Sequence, residues 1–230
     1  MLTTPKLKVI AACLNGLSKA GYDVEESTDH VTSVKRLAPL GKILTPIMSP
    51  AHNDFSQGNC FWTLLMQKGE VVGGIAARLD TLGTESLGSF WRRQSKRVYG
   101  AGETDQLVYV SDFIDNEVRG DVVYFGDLVL GKEHRGRGDH LRYFTMYCQM
   151  LAAVMWDADW QYSFIPEVHA QAGMAYNYAF AKTIPGAQEW KEEPGTRKSS
   201  EVCVITSRTD LLDIASYFSR RPEKLRVVKN

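Results

Sequence analysis

Apolar residues recur three and four apart near the N-terminus, where Leu7, Ile10, Leu14 and Leu17 make one helical stripe. Thr4 stands as the cap of this helix, Pro5 as its first residue and Gly21 as its stop. The stretch from Gly21 through His30 is acidic and irregular. Prolines at 39, 46 and 50 make Arg36 to Asp54 a loop with room for one short strand. At Cys60 the period changes. FWTLLM (61–66) and VVGGIAARLD (71–80) read as strands joined by the turn Gln67-Lys68-Gly69-Glu70, a hairpin signal, and the paired Gly73 and Gly74 mark a bulge or a close backbone approach.

Residues 84–100 form an amphipathic helical pattern, with Leu87, Phe90, Trp91 and Val98 on one side and Arg92, Arg93, Lys96 and Arg97 on the other. QLVYV (106–110) reads as a short strand followed by an acidic loop. VVYFGDLVL (122–130) is β-branched, aromatic and continuous, which predicts a strand buried on both faces. A glycine-rich turn leads to a helix over 139–156, then a strand over 160–165 stopped by Pro166, and a second helix over about 168–183. A strand over 201–207, a short helix over 210–218 and a loose basic tail complete the chain. This order predicts an α/β (α+β) fold, a mixed sheet with helices on its faces. No linker divides residues 1–230.

Composition narrows the classes. At 44% apolar and 23% charged residues the chain is globular, not disordered, collagenous or coiled-coil. Twenty-seven basic and 27 acidic residues cancel, so no global field steers it to nucleic acid or anionic lipid. No apolar run reaches the roughly 18 residues of a membrane span. IAAC (10–13) has the outline of a lipoprotein cleavage box, but only Val9 to Ala12 precede the cysteine, where a signal peptide needs about 7–15 apolar residues. The four cysteines show no C-x-x-C spacing, so reduced thiols and a cytoplasmic location are expected.

The chemistry concentrates in LVLGKEHRGRGDHL (128–141), where a buried strand runs into a turn with glycines at 131, 136 and 138 that opens a helix. Glycines expose backbone N–H groups, and a helix start supplies about half a positive charge, which together make a site for a pyrophosphate. Arg135 and Arg137 add full charges. Gly126 to Lys132 has the G-x-x-x-x-G-K frame of a nucleotide loop, but Glu133 stands where Ser or Thr must hold magnesium and the intervening residues belong to the strand. A dinucleotide fingerprint fails because Leu141 occupies its third glycine position. The histidines show no metal-binding spacing, and no serine lies in a G-x-S-x-G elbow.

Arg135, Gly138 and His140 fill the marked positions of R/Q-x-x-G-x-G/A after a hydrophobic strand, and this segment resembles the acyl-CoA-binding motif of the GNAT superfamily of N-acetyltransferases. His140 in place of a small residue departs from the pattern, and could crowd the phosphate loop or hydrogen-bond to it. The likeness covers roughly residues 60–207; residues 1–55 are an N-terminal extension and 80–120 an insertion. It implies a mixed, mostly antiparallel sheet with helices on both faces and a splayed parallel pair, here 122–130 and 160–165. The cofactor, acetyl-CoA or another acyl-CoA, would lie between them. Leu128, Val129 and Leu130 would line its arm, and Arg135, Gly136, Arg137, Gly138, Asp139 and His140 its pyrophosphate.

The resemblance further implies transfer of an acyl group to a small-molecule or peptide amine, and dimers are common in the family. Neither membrane nor nucleic acid is expected as a partner. An amine with a pKa near 10.4 is under about 0.1% neutral at pH 7, so a base is needed. Asp127 is the first candidate, with Glu117 and Asp121 behind it; the alternation places Asp127 on one face with Phe125 and Val129. The resemblance implies a tyrosine as leaving-group acid on the helix after the second splayed strand. In HAQAGMAYNYAF (169–180), aligning His169 and Ala172 with the family's Asn-x-x-Ala puts Tyr176 there, with Tyr178 as its rival. Two other readings stay open: an acyl-CoA-binding sensor or scaffold without turnover, and a nucleic-acid-binding module using the basic helix 86–98. Lactone synthases and aminoacyl transferases share the architecture.

Overall fold

A computed structural model describes residues 3–41, 43–136 and 139–226. In chain order the elements are α1 (Thr3–Lys19), β1 (Asp23–Ser27), α2 (His30–Leu37), β2 (Cys60–Gln67), β3 (Glu70–Ser86), α3 (Leu87–Tyr99), β4 (Leu107–Val110), α4 (Asp112–Asn116), β5 (Arg119–Leu130), α5 (His140–Met155), β6 (Trp160–Ile165), α6 (Glu167–Gln171), α7 (Met174–Asn177), β7 (Lys182–Ile184), β8 (Gln188–Trp190), β9 (Val202–Ser207) and α8 (Arg208–Arg220). Seven strands form one sheet in the order β1-β2-β3-β5-β6-β9-β7, and β4 pairs with β8 in a separate ribbon. β5 and β6 run parallel; the other described pairs are antiparallel. The fold class expected from the sequence is therefore the one observed.

Strand alternation divides the core. Phe61 and Leu65 of β2, Ile75 and Ala77 of β3 and Val123 and Phe125 of β5 face a layer made by α1, α5 and α8. Trp62, Leu64, Ala76, Val122 and Tyr124 face the layer made by α2, α3, α4 and the β4–β8 ribbon. The hairpin turn is as read: Gln67 pairs with Glu70, and Lys68 and Gly69 both take positive φ. A Cβ on Gly73 would lie 2.9 Å from the Val129 carbonyl oxygen, so that glycine marks a close approach of β3 to β5.

Several expectations are corrected. The helix α1 already includes Thr4, so Thr4 is not its cap, and it buries Val9, Cys13 and Leu17 while Leu7 and Leu14 are exposed. Lys6, itself buried, donates to the Ala153 carbonyl at 2.9 Å and pairs with Asp157 at 2.7 Å, closing the end of α5. The acidic segment 23–27 is an edge strand, where charged side chains are tolerated and blunt the open edge. Among its described residues the segment 36–54 holds the end of α2 and two short 3-10 turns, and no strand. The helix expected over 168–183 breaks into α6 and α7 because Gly173 adopts a left-handed conformation between them.

The central strand holds a further correction. Ala76 pairs with Gly126 and Gly74 with Val129, so β5 spends three residues where β3 spends two. The bulge sits at Asp127, whose φ is 58°. One extra residue reverses every later side chain. Phe125 and Val129 therefore face opposite layers, and the shared face expected for them with Asp127 does not exist.

Candidate active site

The parallel pairing of β5 with β6 runs from Val122↔Trp160 to Tyr124↔Tyr162 and then stops, although β5 continues to Leu130 and β6 to Ile165. At the last closed point the Ser163 hydroxyl donates to the Phe125 carbonyl at 2.7 Å. Two residues later the bulge at Asp127 turns β5 away, and a gap opens in the middle of the sheet. The Gly131 N–H donates to the Val72 carbonyl on β3, so strand alternation turns the amides of Leu128 and Leu130 toward the open side. This gap is the splayed parallel pair that the sequence resemblance implies. The slot follows from the register of three strands, and a closed ladder here would have left no room for a pantetheine arm.

Two cavities meet in the gap. An outer groove of about 350 Å³ runs past Val129, Leu130, Arg135, Gly136 and Leu141 toward the start of α5. An inner chamber of about 320 Å³ is bounded by Asp127, Tyr124, Thr45, Thr196, Arg197 and Glu201. Leu128, His169 and Tyr178 line both and form the junction.

At the outer end, the Asp139 side chain does not cap the 16-residue helix α5, and the helix start carries positive dipole. Gly136 takes φ 65°, with no heavy atom among the described residues within 4 Å of where a Cβ would stand. Arg135 Nε donates to the Leu130 carbonyl at 2.9 Å, which brings its guanidinium against the end of β5. His140 does not crowd the turn. Its ring is buried, stacks on Tyr22 at 4.9 Å and bonds through Nε2 to the His134 carbonyl at 2.8 Å. The Tyr22 hydroxyl reaches His134 Nδ1 at 3.0 Å. The histidine that departs from the motif thus braces the turn from behind. Arg137 and Gly138 lie outside the described residues.

The two tyrosines separate clearly. Tyr176 is 59% exposed, lies under the Arg142 guanidinium at 3.9 Å and lines neither cavity. Tyr178 is buried at the junction, its hydroxyl 3.1 Å from His169 Nδ1, and burial raises its phenol pKa. Gln149 of α5 donates to the Tyr178 carbonyl at 2.7 Å and fixes the residue in place. Asp127 is buried and faces the inner chamber, with the Thr45 N–H 3.3 and 3.2 Å from its two carboxylate oxygens. Glu117 is exposed, and Asp121 sits at the far end of β5 beside Asp159, so neither joins the gap.

Sequence reasoning missed Thr45, His169, Arg197 and Glu201. Arg197 is buried, pairs through Nε with Glu201 at 2.7 Å and lies 4.0 Å over the Phe164 ring. Glu201 is four residues on, but the other groups around Arg197 come from distant parts of the chain, so spacing alone did not place the pair at the gap. Thr45 is held by the turn Pro46–Met48, whose Ile47 carbonyl accepts from the buried guanidinium of Arg78. The Thr45 hydroxyl oxygen is itself buried and without a hydrogen-bond partner among the described residues.

The basic helix α3 is spoken for. Arg92 pairs with Asp115 at 2.6 Å, Lys96 with Asp105 at 3.7 Å, Arg93 with Glu85, and Arg97 donates to the His52 carbonyl. Trp62 donates to His30 and Trp91 to Tyr162, so both indoles serve the core.

No family model matches the chain, and no curated protein matches it. Among solved structures it is similar to an agmatine N-acetyltransferase, at 12% identity and TM-score 0.46 over 80% of this chain and 99% of that one. It is also similar to an N-acyl amino acid synthase from uncultured soil microbes, at 9% identity and TM-score 0.48 over 85% and 97%. A spermidine/spermine N-acetyltransferase from Vibrio cholerae gives 8% identity and TM-score 0.48 over 85% and 97%.

Proposed function

We propose that the chain transfers an acyl group from coenzyme A to a small-molecule or peptide amine. The observation that carries this reading is the gap between β5 and β6, opened by the Asp127 bulge and running to the start of α5. The residues present fit the cofactor. Leu128, Val129 and Leu130 would hold its arm along the open strand edge. Arg135, Gly136 and the first N–H groups of α5 would hold its diphosphate, with the turn preset by His140 and Tyr22.

Bound acyl-CoA supplies an activated thioester. The protein's task is proton handling and exclusion of water. Asp127 accepts the proton of the incoming ammonium group at its carboxylate, since an alkylamine is almost wholly protonated at neutral pH. Tyr178 Oη, at the junction of groove and chamber, is the proton donor on the leaving side; its burial favours the protonated phenol that such a role needs. The orphaned Thr45 hydroxyl and the acidic Asp127 and Glu201 make the inner chamber the place for a polar, cationic acceptor.

Thermal unfolding with and without acetyl-CoA tests the cofactor assignment. At 100 times the dissociation constant a ligand adds about 2.7 kcal/mol, or roughly 5–10 °C for a chain of this length. The shift should shrink sharply in Arg135→Ala. No shift at millimolar cofactor, or an unchanged shift in the variant, refutes the assignment. Thiol release in the presence of amines then distinguishes turnover from binding alone.

A further inference from the structure

Resting on the acyl-transfer reading, we infer that His169 is a positioning and proton-relay residue for Tyr178, connecting the phenol at the gap's junction to solvent. The hydroxyl of Tyr178 lies 3.1 Å from His169 Nδ1. Tyr178 is 7% exposed, whereas His169, on α6, is exposed. A buried phenol that gives up its proton is left as a phenolate away from water, the form that burial disfavours most. Every turnover would stall there unless a proton reached the ring.

An imidazole suits the position because it can give a proton at one ring nitrogen while taking one at the other. As the amine nitrogen forms its bond to the acyl carbon and the carbon–sulfur bond breaks, the sulfur takes the Tyr178 Oη proton. His169 Nδ1–H passes its proton to Oη, and Nε2 takes one from solvent. In becoming an amide the ammonium group gives up two protons, which leave one after the other through Asp127, while one proton enters through His169 for the thiol, so each turnover releases one proton net. The remaining charged groups facing the junction are Arg135 in the groove and Asp127, Arg197 and Glu201 in the chamber, with Glu167 on α6 itself and Arg142 on α5 beneath Tyr176. Among these, His169 is the group bonded to the phenol.

The test has one readout without cofactor and one with it. In the cofactor-free chain labelled with 13Cζ-tyrosine, His169→Ala should move the Tyr178 resonance, because it removes the hydrogen bond at Oη. Tyr178→Phe assigns the resonance. In turnover, His169→Ala should lower kcat by about a hundredfold and leave the KM for acetyl-CoA within twofold. Added imidazole should restore rate to His169→Ala but not to His169→Ala/Tyr178→Phe. A merely structural histidine would give no such rescue. A Tyr178 resonance unmoved in His169→Ala, or turnover in His169→Ala equal to wild type, overturns this inference alone. A wild-type chain that binds acetyl-CoA but releases no thiol with any amine overturns the acyl-transfer reading and the relay with it.

Discussion

Replacing Asp127 by Asn separates the carboxylate's charge from the bulge it occupies. The residue sits at φ 58°, a conformation that costs most L-residues about 1–2 kcal/mol but that Asn tolerates nearly as well as Asp. Asn keeps an oxygen for the Thr45 N–H, now 3.2–3.3 Å from both carboxylate oxygens, and loses the carboxylate's charge. The cost to the fold is therefore about 1 kcal/mol, or about 2–4 °C in Tm. Asp127→Ala loses the acceptor and gains the backbone strain, a total of about 3 kcal/mol and roughly 6–12 °C. The gap persists in Asp127→Asn, so the acetyl-CoA-induced rise in Tm should match wild type. Turnover should not. Loss of a general base costs about 10²–10⁴ in rate, read as free thiol released at saturating cofactor and amine. Wild-type turnover in Asp127→Asn refutes the base assignment. A loss of stability as large as that of Asp127→Ala refutes the account of the bulge.

Two further outcomes follow from buried groups. Burial holds the His30 imidazole below its ordinary value near 6.5, against the opposing pull of Asp127 and Asp29. The unfolded chain then binds the extra proton below about pH 6.5 while the folded chain does not, so this contribution to stability is present above that pH and is lost as pH falls. Urea unfolding from pH 8 to 5 should show that slope, and His30→Asn, which keeps an acceptor for Trp62, should flatten it; an equal slope in both would contradict the assignment. All four cysteines are buried free thiols, and burial pushes Cys13 and Cys60 up to about 12 and raises Cys148 and Cys203 as well. A disulfide-exchange reagent should therefore leave the native chain untouched and react with all four thiols in denaturant; rapid reaction of the native chain would show that the layers open far more readily than their packing indicates.

Much of the frame was legible because it is written in local periods. The strand-like run of β2, the continuous apolar run of β5, the three-and-four spacing of α5 and the turn at Lys68-Gly69 each concern a few neighbouring residues. Their elements appear where the sequence places them. The glycine-rich turn before α5 belongs to the same class, since glycines, arginines and a helix start are a local arrangement. β1 was hidden by its charges, because an edge strand is held by backbone pairing that leaves no apolar signature. The break between α6 and α7 turned on the single backbone conformation of Gly173.

The reacting end of the gap belongs to the tertiary structure alone. Tyr176 and Tyr178 are equal in type and two positions apart, and only the packing of α5 and β9 beneath them puts Tyr178 at the junction and leaves Tyr176 outside. Asp127 was visible as a carboxylate in an apolar strand, but its bulge exists only by comparison with the partner strand β3, and that mismatch opened the slot. Arg197, Glu201 and Thr45 arrive from remote segments to close the chamber. The sequence by itself determined most of the strands and helices and a glycine-rich turn at a helix start, because those depend on near neighbours. Where the sheet parts, and which side chains meet there, was decided by register and by contacts between residues far apart along the chain, which no one-dimensional pattern records.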